Sequence, residues 1–256
     1  MSIDNQVVSN LFVQNESGIV LDAGADRNRL SGNTLQRNTT VDIQITGARQ
    51  TLISSNFVDG SGTLGISIQQ AEAVTVTANS VLSHTAGVRI NANGGLFTGN
   101  IWRNNNTGLE VVGTSANKRL YNNLFSNSNN LTLVPLVGIN IWNVERQDGP
   151  NLLGGPFIGG NFWGGPNPHN CQDAESDGLC DSTYELGGSN QDQLPLAALA
   201  GLADCAFGPQ WTILVYLNGD NDLDLWTEQL FNRLEQVAGK IFFSNRCSLG
   251  SQSDRR

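Results

Sequence analysis

The chain has 256 residues, 39% of them apolar and 14% charged, with 29 glycines and a formal net charge of −9; this composition supports a buried core in a corner-rich β fold. Residues 1–150 carry 10 acidic and 9 basic side chains and residues 151–256 carry 13 and 5, so the negative surplus lies late in the chain and no basic stripe suits nucleic acid. No stretch is long and apolar enough to insert in a membrane, and Met1-Ser2-Ile3-Asp4 has neither the charged nor the apolar region of a leader.

Seven asparagines, Asn10, Asn33, Asn56, Asn79, Asn100, Asn123 and Asn161, recur at separations of 23, 23, 23, 21, 23 and 38 residues. Three residues before them stand Val7, Leu30, Ile53, Val76, Phe97, Leu120 and Ile158; two after stand Phe12, Leu35, Val58, Val81, Trp102, Phe125 and Trp163. No position in either set is polar. A fixed apolar pair around one Asn, at a period near 23, marks a solenoid whose coils bury their apolar faces only by stacking. The frame is too short for a helical hairpin, and its punctuation is Gly and Asn.

Each coil is expected to open with a strand such as Leu52-Ile53-Ser54, after which the Asn takes the left-handed conformation at a tight corner. A second strand alternates with period two: Ile43-Gln44-Ile45, Ile66-Ser67-Ile68, Val88-Arg89-Ile90 and Leu109-Glu110-Val111. Its apolar members point in, whereas Gln44, Ser67, Arg89 and Glu110 point out. At the usual inter-strand spacing of ~4.8 Å the coils make a rod roughly 30 to 35 Å long. The asparagines then bond from coil to coil as a corner ladder and have no catalytic part. His84, five residues after Asn79, occupies the corner where Asn15, Asn38 and Asn105 sit in other coils. The pattern resembles the right-handed parallel beta-helix repeat family, which includes carbohydrate-binding proteins and sugar hydrolases. That all-β solenoid is expected over residues 1–165. The first residues fall just before a repeat with no cap, so the chain reads as a piece of a longer protein.

The last coil runs into Gly159-Gly160-Asn161-Phe162-Trp163-Gly164-Gly165-Pro166, an acidic run from Cys171 to Asp181, Tyr184-Glu185-Leu186-Gly187-Gly188, and Asn190-Gln191-Asp192-Gln193-Leu194-Pro195-Leu196. This order resembles the ending of secreted beta-helix proteins related to the periplasmic copper-binding family that helps mature nitrous oxide reductase. Residues 166–196 are therefore expected to be an acidic C-terminal extension of the solenoid, in a parent that is extracellular or on the cell surface. Cys171 and Cys180 enclose an eight-residue loop. They are either free thiols or a disulfide worth about 2 to 3 kcal/mol in the loop-entropy model, and the exported character of the resembling family favours the disulfide.

Asp173, Glu175, Asp177, Gly178 and Asp181 follow the 1, 3, 5, 6, 9 spacing of an oxygen-rich calcium loop, with Tyr184 where a bidentate Glu is usual. Calcium at Asp173, Glu175, Asp177 and Asp181 and a solvated acidic loop are the two readings. Copper is a poorer match, because Met1, His84 and His169 are the chain's whole supply of Met and His and soft copper sites need several such ligands.

Residues 197–209 read as a linker. Trp211-Thr212-Ile213-Leu214-Val215-Tyr216-Leu217, a polar turn, and Leu223, Trp226, Leu230, Leu234 and Val237 at helical spacing make a strand-turn-helix over residues 210–256. Its wording resembles the opening of clostripain-like cysteine peptidases, cut short before that family's catalytic His and Cys. The implied function is a non-catalytic β-helix module that binds extracellular polysaccharide or acts as a spacer for a peptidase. Gln44, Ser67, Arg89 and Glu110 form its candidate binding row, with Trp142 as a sugar-stacking aromatic. The alternatives are a polysaccharide lyase or hydrolase, for which Asp4, Asp22, Asp26, Asp42 and Asp59 are too scattered, and a fragment of a peptidase. The oligomeric state is not legible.

Overall fold

The computed structural model describes residues 3–198 apart from Ser61, Pro135, Asn167 and Asn170. The peptidase-like segment and nearly all of the expected linker lie outside the described residues. Within them the fold is a parallel β-helix without helices, as the repeat implies. Each of the first six coils contributes one short strand to each of three sheets. The first sheet stacks Gln6–Val8, Arg29–Ser31, Leu52–Ser54, Thr75–Thr77, Leu96–Thr98 and Arg119–Tyr121. The second runs from Leu11–Val13 to Phe162–Trp163 in seven strands, and the third from Ser17–Leu21 to Asn129–Leu133 in six.

Register is locked by identity of type along each inner column, since a one-residue slip would turn the apolar set outward. Leu30, Ile53, Val76, Phe97 and Leu120 pair in sequence across the first sheet and are 0–1% exposed. In the second, Val81, Trp102, Phe125 and Trp163 follow one another, and aromatic rings fill the late coils. Phe125 stacks on Trp163 with centroids 4.3 Å apart and meets Trp102 edge-on at 4.9 Å.

The corner asparagines do form the expected ladder. Asn56 donates from Nδ2 to Asn79 Oδ1 at 2.9 Å and to the Leu30 carbonyl at 2.9 Å, while its backbone N–H donates to the same Asn79 oxygen at 2.9 Å. The pattern repeats from Asn10 to Asn161. In the first six coils the left-handed residue, however, is the one before the Asn: Ser9, Gly32, Ser55, Ala78, Gly99 and Asn122 have φ between 54° and 68°. That residue makes the bend, so the following Asn can turn its amide into the coil.

Two parallel ladders occupy the other corners. One runs Asn15, Asn38, His84, Asn105, Asn127, which places His84 as expected, with its N–H on Asn105 Oδ1 at 2.9 Å. The other holds Asn5, Asn28, Lys118 and Asn140 at equivalent positions, and the Lys118 backbone N–H donates to Asn140 Oδ1 at 3.1 Å. Lys118 has no exposed surface, and among the described residues its Nζ has no hydrogen-bond partner.

The seventh coil departs from expectation. Ile158 does not join the first-sheet column, because Ile141 pairs with Arg119 and so sets Trp142 beside Leu120. Residues 144–160 form an insertion with an antiparallel pair, Gln147–Asp148 against Phe157–Ile158, before the chain re-enters at Asn161. Trp142 is therefore a core residue, fully buried, with Nε1 donating to Asn190 Oδ1 at 2.9 Å.

The Asn79 amide accepts the N–H and Nδ2 of Asn56 and donates to Asn100 Oδ1 and the Ile53 carbonyl, all out of reach of solvent. Asn79→Ala is expected to cost ~3 kcal/mol in urea unfolding, whereas Asn10→Ala, at an exposed coil, should cost less than half as much. Burial lowers the Lys118 amine from 10.5 to about 8. The unfolded chain then binds more protons between these values, and stability rises with pH across that window. Lys118→Met should abolish this slope and raise Tm at pH 7 by about 2–4 °C.

Candidate functional site

Gln44, Ser67, Arg89 and Glu110 stand level with one another across the third sheet, on its outer side. Each is one coil from the next, since consecutive coils contribute consecutive strands. Gln44, Arg89 and Glu110 are half-buried, but Ser67 is only 1% exposed, and its hydroxyl accepts a hydrogen bond from Gln69 Nε2 at 3.1 Å. Arg89 Nε donates to Glu110 Oε2 at 2.6 Å. A second outer row, Thr46, Gln69 and Asn91, runs beside the first. The structure thus brings the four residues into one row, while Trp142, expected as a stacking aromatic, is not on the surface: it closes the core column under the cap.

The acidic loop is stapled by the Cys171–Cys180 disulfide, with Cα atoms 5.3 Å apart. Its carboxylates do not converge. Asp173 accepts the N–H groups of Asp177 and Gly178 at 3.0 and 2.8 Å. Asp177 accepts that of Leu179 at 2.9 Å and pairs with Arg146 at 2.9 Å; Asp181 accepts that of Ala174 at 3.0 Å. Glu175 is exposed. Asp173, Asp177 and Asp181 thus brace the loop through its own N–H groups, and Asp177 docks it on Arg146, whose guanidinium lies 3.6 Å from the Phe157 ring centre.

Two buried carboxylates escaped the sequence reading. Gly18, Asp42, Gly65, Gly87, Gly108 and Asn130 lie level in the third sheet. A side chain at Gly87 would press on the Asn105 amide at 2.8 Å, so Gly in one coil leaves room for the corner amide of the next. Where the third coil has Ser61 in place of Asn, the second coil has Asp42 in place of Gly. Asp42 accepts the Asn38 amide at 2.5 Å and pairs with His84 Nε2 at 2.6 Å, both side chains fully buried. The pair of departures from two columns was the available signal.

Asp192 ends the main ladder in the same way. Its Oδ2 accepts Asn161 N, Asn161 Nδ2 and Trp163 Nε1 at 2.7, 3.2 and 2.9 Å, and Oδ1 accepts Leu194 N at 3.3 Å. A methyl group on Gly160 would collide with this carboxylate. Burial pushes Asp192 up to about 6, against the pull of the N–H donors from Asn161, Trp163 and Leu194. Both acids complete amide ladders inside the rod, away from any solvent-borne substrate.

The family model described as periplasmic copper-binding protein (NosD) matches residues 1–168, about two thirds of the chain. The chain belongs to this NosD family. No curated protein and no solved structure matches it. The family's name implies copper, and the donors among the described residues do not fit that metal. Both cysteines there are joined in the disulfide. His84 is sealed in the rod against Asp42, and His169 packs on the Tyr184 ring at 4.7 Å with Nε2 near the Ser182 carbonyl. No three His, Cys, Asp or Glu side chains among the described residues gather as a metal would require.

The folded chain binds more protons than the unfolded one between pH 3.8 and about 6 at Asp192, so its contribution to stability is complete below that window and lost as pH rises through it. Urea midpoints taken across the window should show this fall, and Asp192→Asn should remove it. In the acidic loop, Arg146→Ala is expected to lower Tm in differential scanning calorimetry, because Asp177 and the Phe157 ring lose their shared cation.

Proposed function

We propose that this NosD-family chain is a non-catalytic β-helix module that works outside the cytoplasm and holds polysaccharide along the outer face of its third sheet. The observation that carries this reading is the level row Gln44, Ser67, Arg89 and Glu110 beside Thr46, Gln69 and Asn91. Amides, a hydroxyl and one ion pair repeat there at strand spacing on a stiff surface, as a repeating hydroxylated chain would need. Membership of a family named periplasmic supports the location.

A rigid spacer is the second reading, favoured by the way Arg89 and Glu110 satisfy one another. Affinity electrophoresis on neutral and acidic polysaccharides separates the two. Retention on at least one polymer, reduced several-fold by Gln69→Ala with Arg89→Ala, is the expected result; free migration on all of them leaves the spacer. Release of reducing ends or unsaturated sugars, abolished by Arg89→Ala, would overturn the non-catalytic assignment.

A further inference from the structure

Among the described residues the seventh coil is incomplete in a specific way. It supplies Ile141 to the first sheet and Phe162–Trp163 to the second, but nothing to the third. There the last strand, Asn129–Leu133, has one neighbour among the described residues, Thr107–Val111, so the backbone N–H and C=O groups of its other edge have no strand partner among them. The core beneath that edge is short of cover. Leu109 and Val111, one coil back, have no exposed surface, and Ile66, Ile68, Val88 and Ile90 are at most 1% exposed, whereas Leu131 and Leu133 in the equivalent positions are only half-buried. A cavity of about 150 Å³ opens at this place, between Asn127–Leu131 and Tyr184–Leu186, with Trp163 in its wall.

The corner itself is finished. Asn130 replaces the Gly of its column, and its Oδ1 takes the Asn127 N–H at 2.9 Å while its Nδ2 donates to the Gly164 carbonyl at 2.7 Å. The amide ladder needs no further coil here, so the vacancy is that of one strand.

Charge selects what fits. Glu185 lines the cavity, and Glu145, Asp148, Glu175 and Asp181 are exposed in the segment that follows the sixth coil. No Lys or Arg occurs between residues 147 and 198, and Arg146 is engaged by Asp177 and Phe157. We propose that the open edge of Asn129–Leu133 accepts an extended peptide segment of another protein as the missing third-sheet strand, with alternate apolar residues facing Leu131, Leu133 and the cavity and Lys or Arg between them. Main-chain pairing supplies the attachment, and the pocket and the acidic surround supply the selection. This inference is independent of polysaccharide binding, which concerns the outer face of the same sheet.

The test uses the full chain and a synthetic peptide alternating Ile or Val with Lys or Thr, followed by fluorescence anisotropy and by amide hydrogen exchange. Saturable binding is expected below about 1 mM, with added protection confined to Asn129–Leu133 and the Tyr184–Leu186 wall. Methylating alternate backbone nitrogens of the peptide should weaken it at least about tenfold, because the edge loses its donors. Replacing its Lys by Glu, or Glu185→Lys in the protein, should weaken it several-fold and flatten the salt dependence. Absence of binding at that concentration, equal binding by the methylated peptide, or protection elsewhere would overturn the proposal. Concentration-dependent dimerisation that protects the same strand without peptide would overturn the choice of occupant.

Discussion

A buried amide must find a partner for each of its donors and acceptors, and in this chain that requirement organises the whole rod. Three corners per coil turn the backbone sharply, and each sharp turn leaves peptide groups without strand neighbours. The asparagines supply what the turn removes: one carbonyl that takes two N–H groups from the coil before, and one NH₂ that reaches forward and back. Because each amide bonds to the coils on both sides of it, the ladders fix the rise and register that the apolar columns then fill.

The exceptions obey the same requirement. Asp42 enters the rod where Ser61 withdraws an amide, and His84 bonds to it from the fourth coil. Asp192 ends the main ladder as an acceptor of four N–H groups, and Asn190 ends the neighbouring one by taking Asn140 N and Trp142 Nε1. A terminal acceptor suits the direction of the ladders, whose backbone N–H groups donate toward the C-terminal end. Lys118 is a clear conflict, an amine in an amide corner with burial acting against its charge.

The fold was legible because period, apolar frame and ladder residue coincide in six successive coils, from Asn10 to Asn123. It became less legible where the period broke. The 38-residue step to Asn161 hid the fact that the chain had already re-entered the first sheet at Ile141, so Trp142 looked like a free aromatic and Ile158 like a column member. The outer row could be read from alternation alone, but the shielding of Ser67 by Gln69 depends on a neighbouring side chain that periodicity does not weigh. In the acidic loop, spacing showed that the carboxylates belong together but not that Asp173, Asp177 and Asp181 each accept backbone N–H groups of the loop itself. Asp42 is legible only by comparing two columns at once.

The account stands on side-chain amides bonded in series along the rod, and nuclear Overhauser contacts between the labelled side-chain NH₂ groups of Asn33, Asn56, Asn79 and Asn100 test it most directly. The ladder predicts contacts linking each of these to the next and slow exchange of all four with solvent. Fast exchange, or contacts only to residues of the same coil, would contradict it.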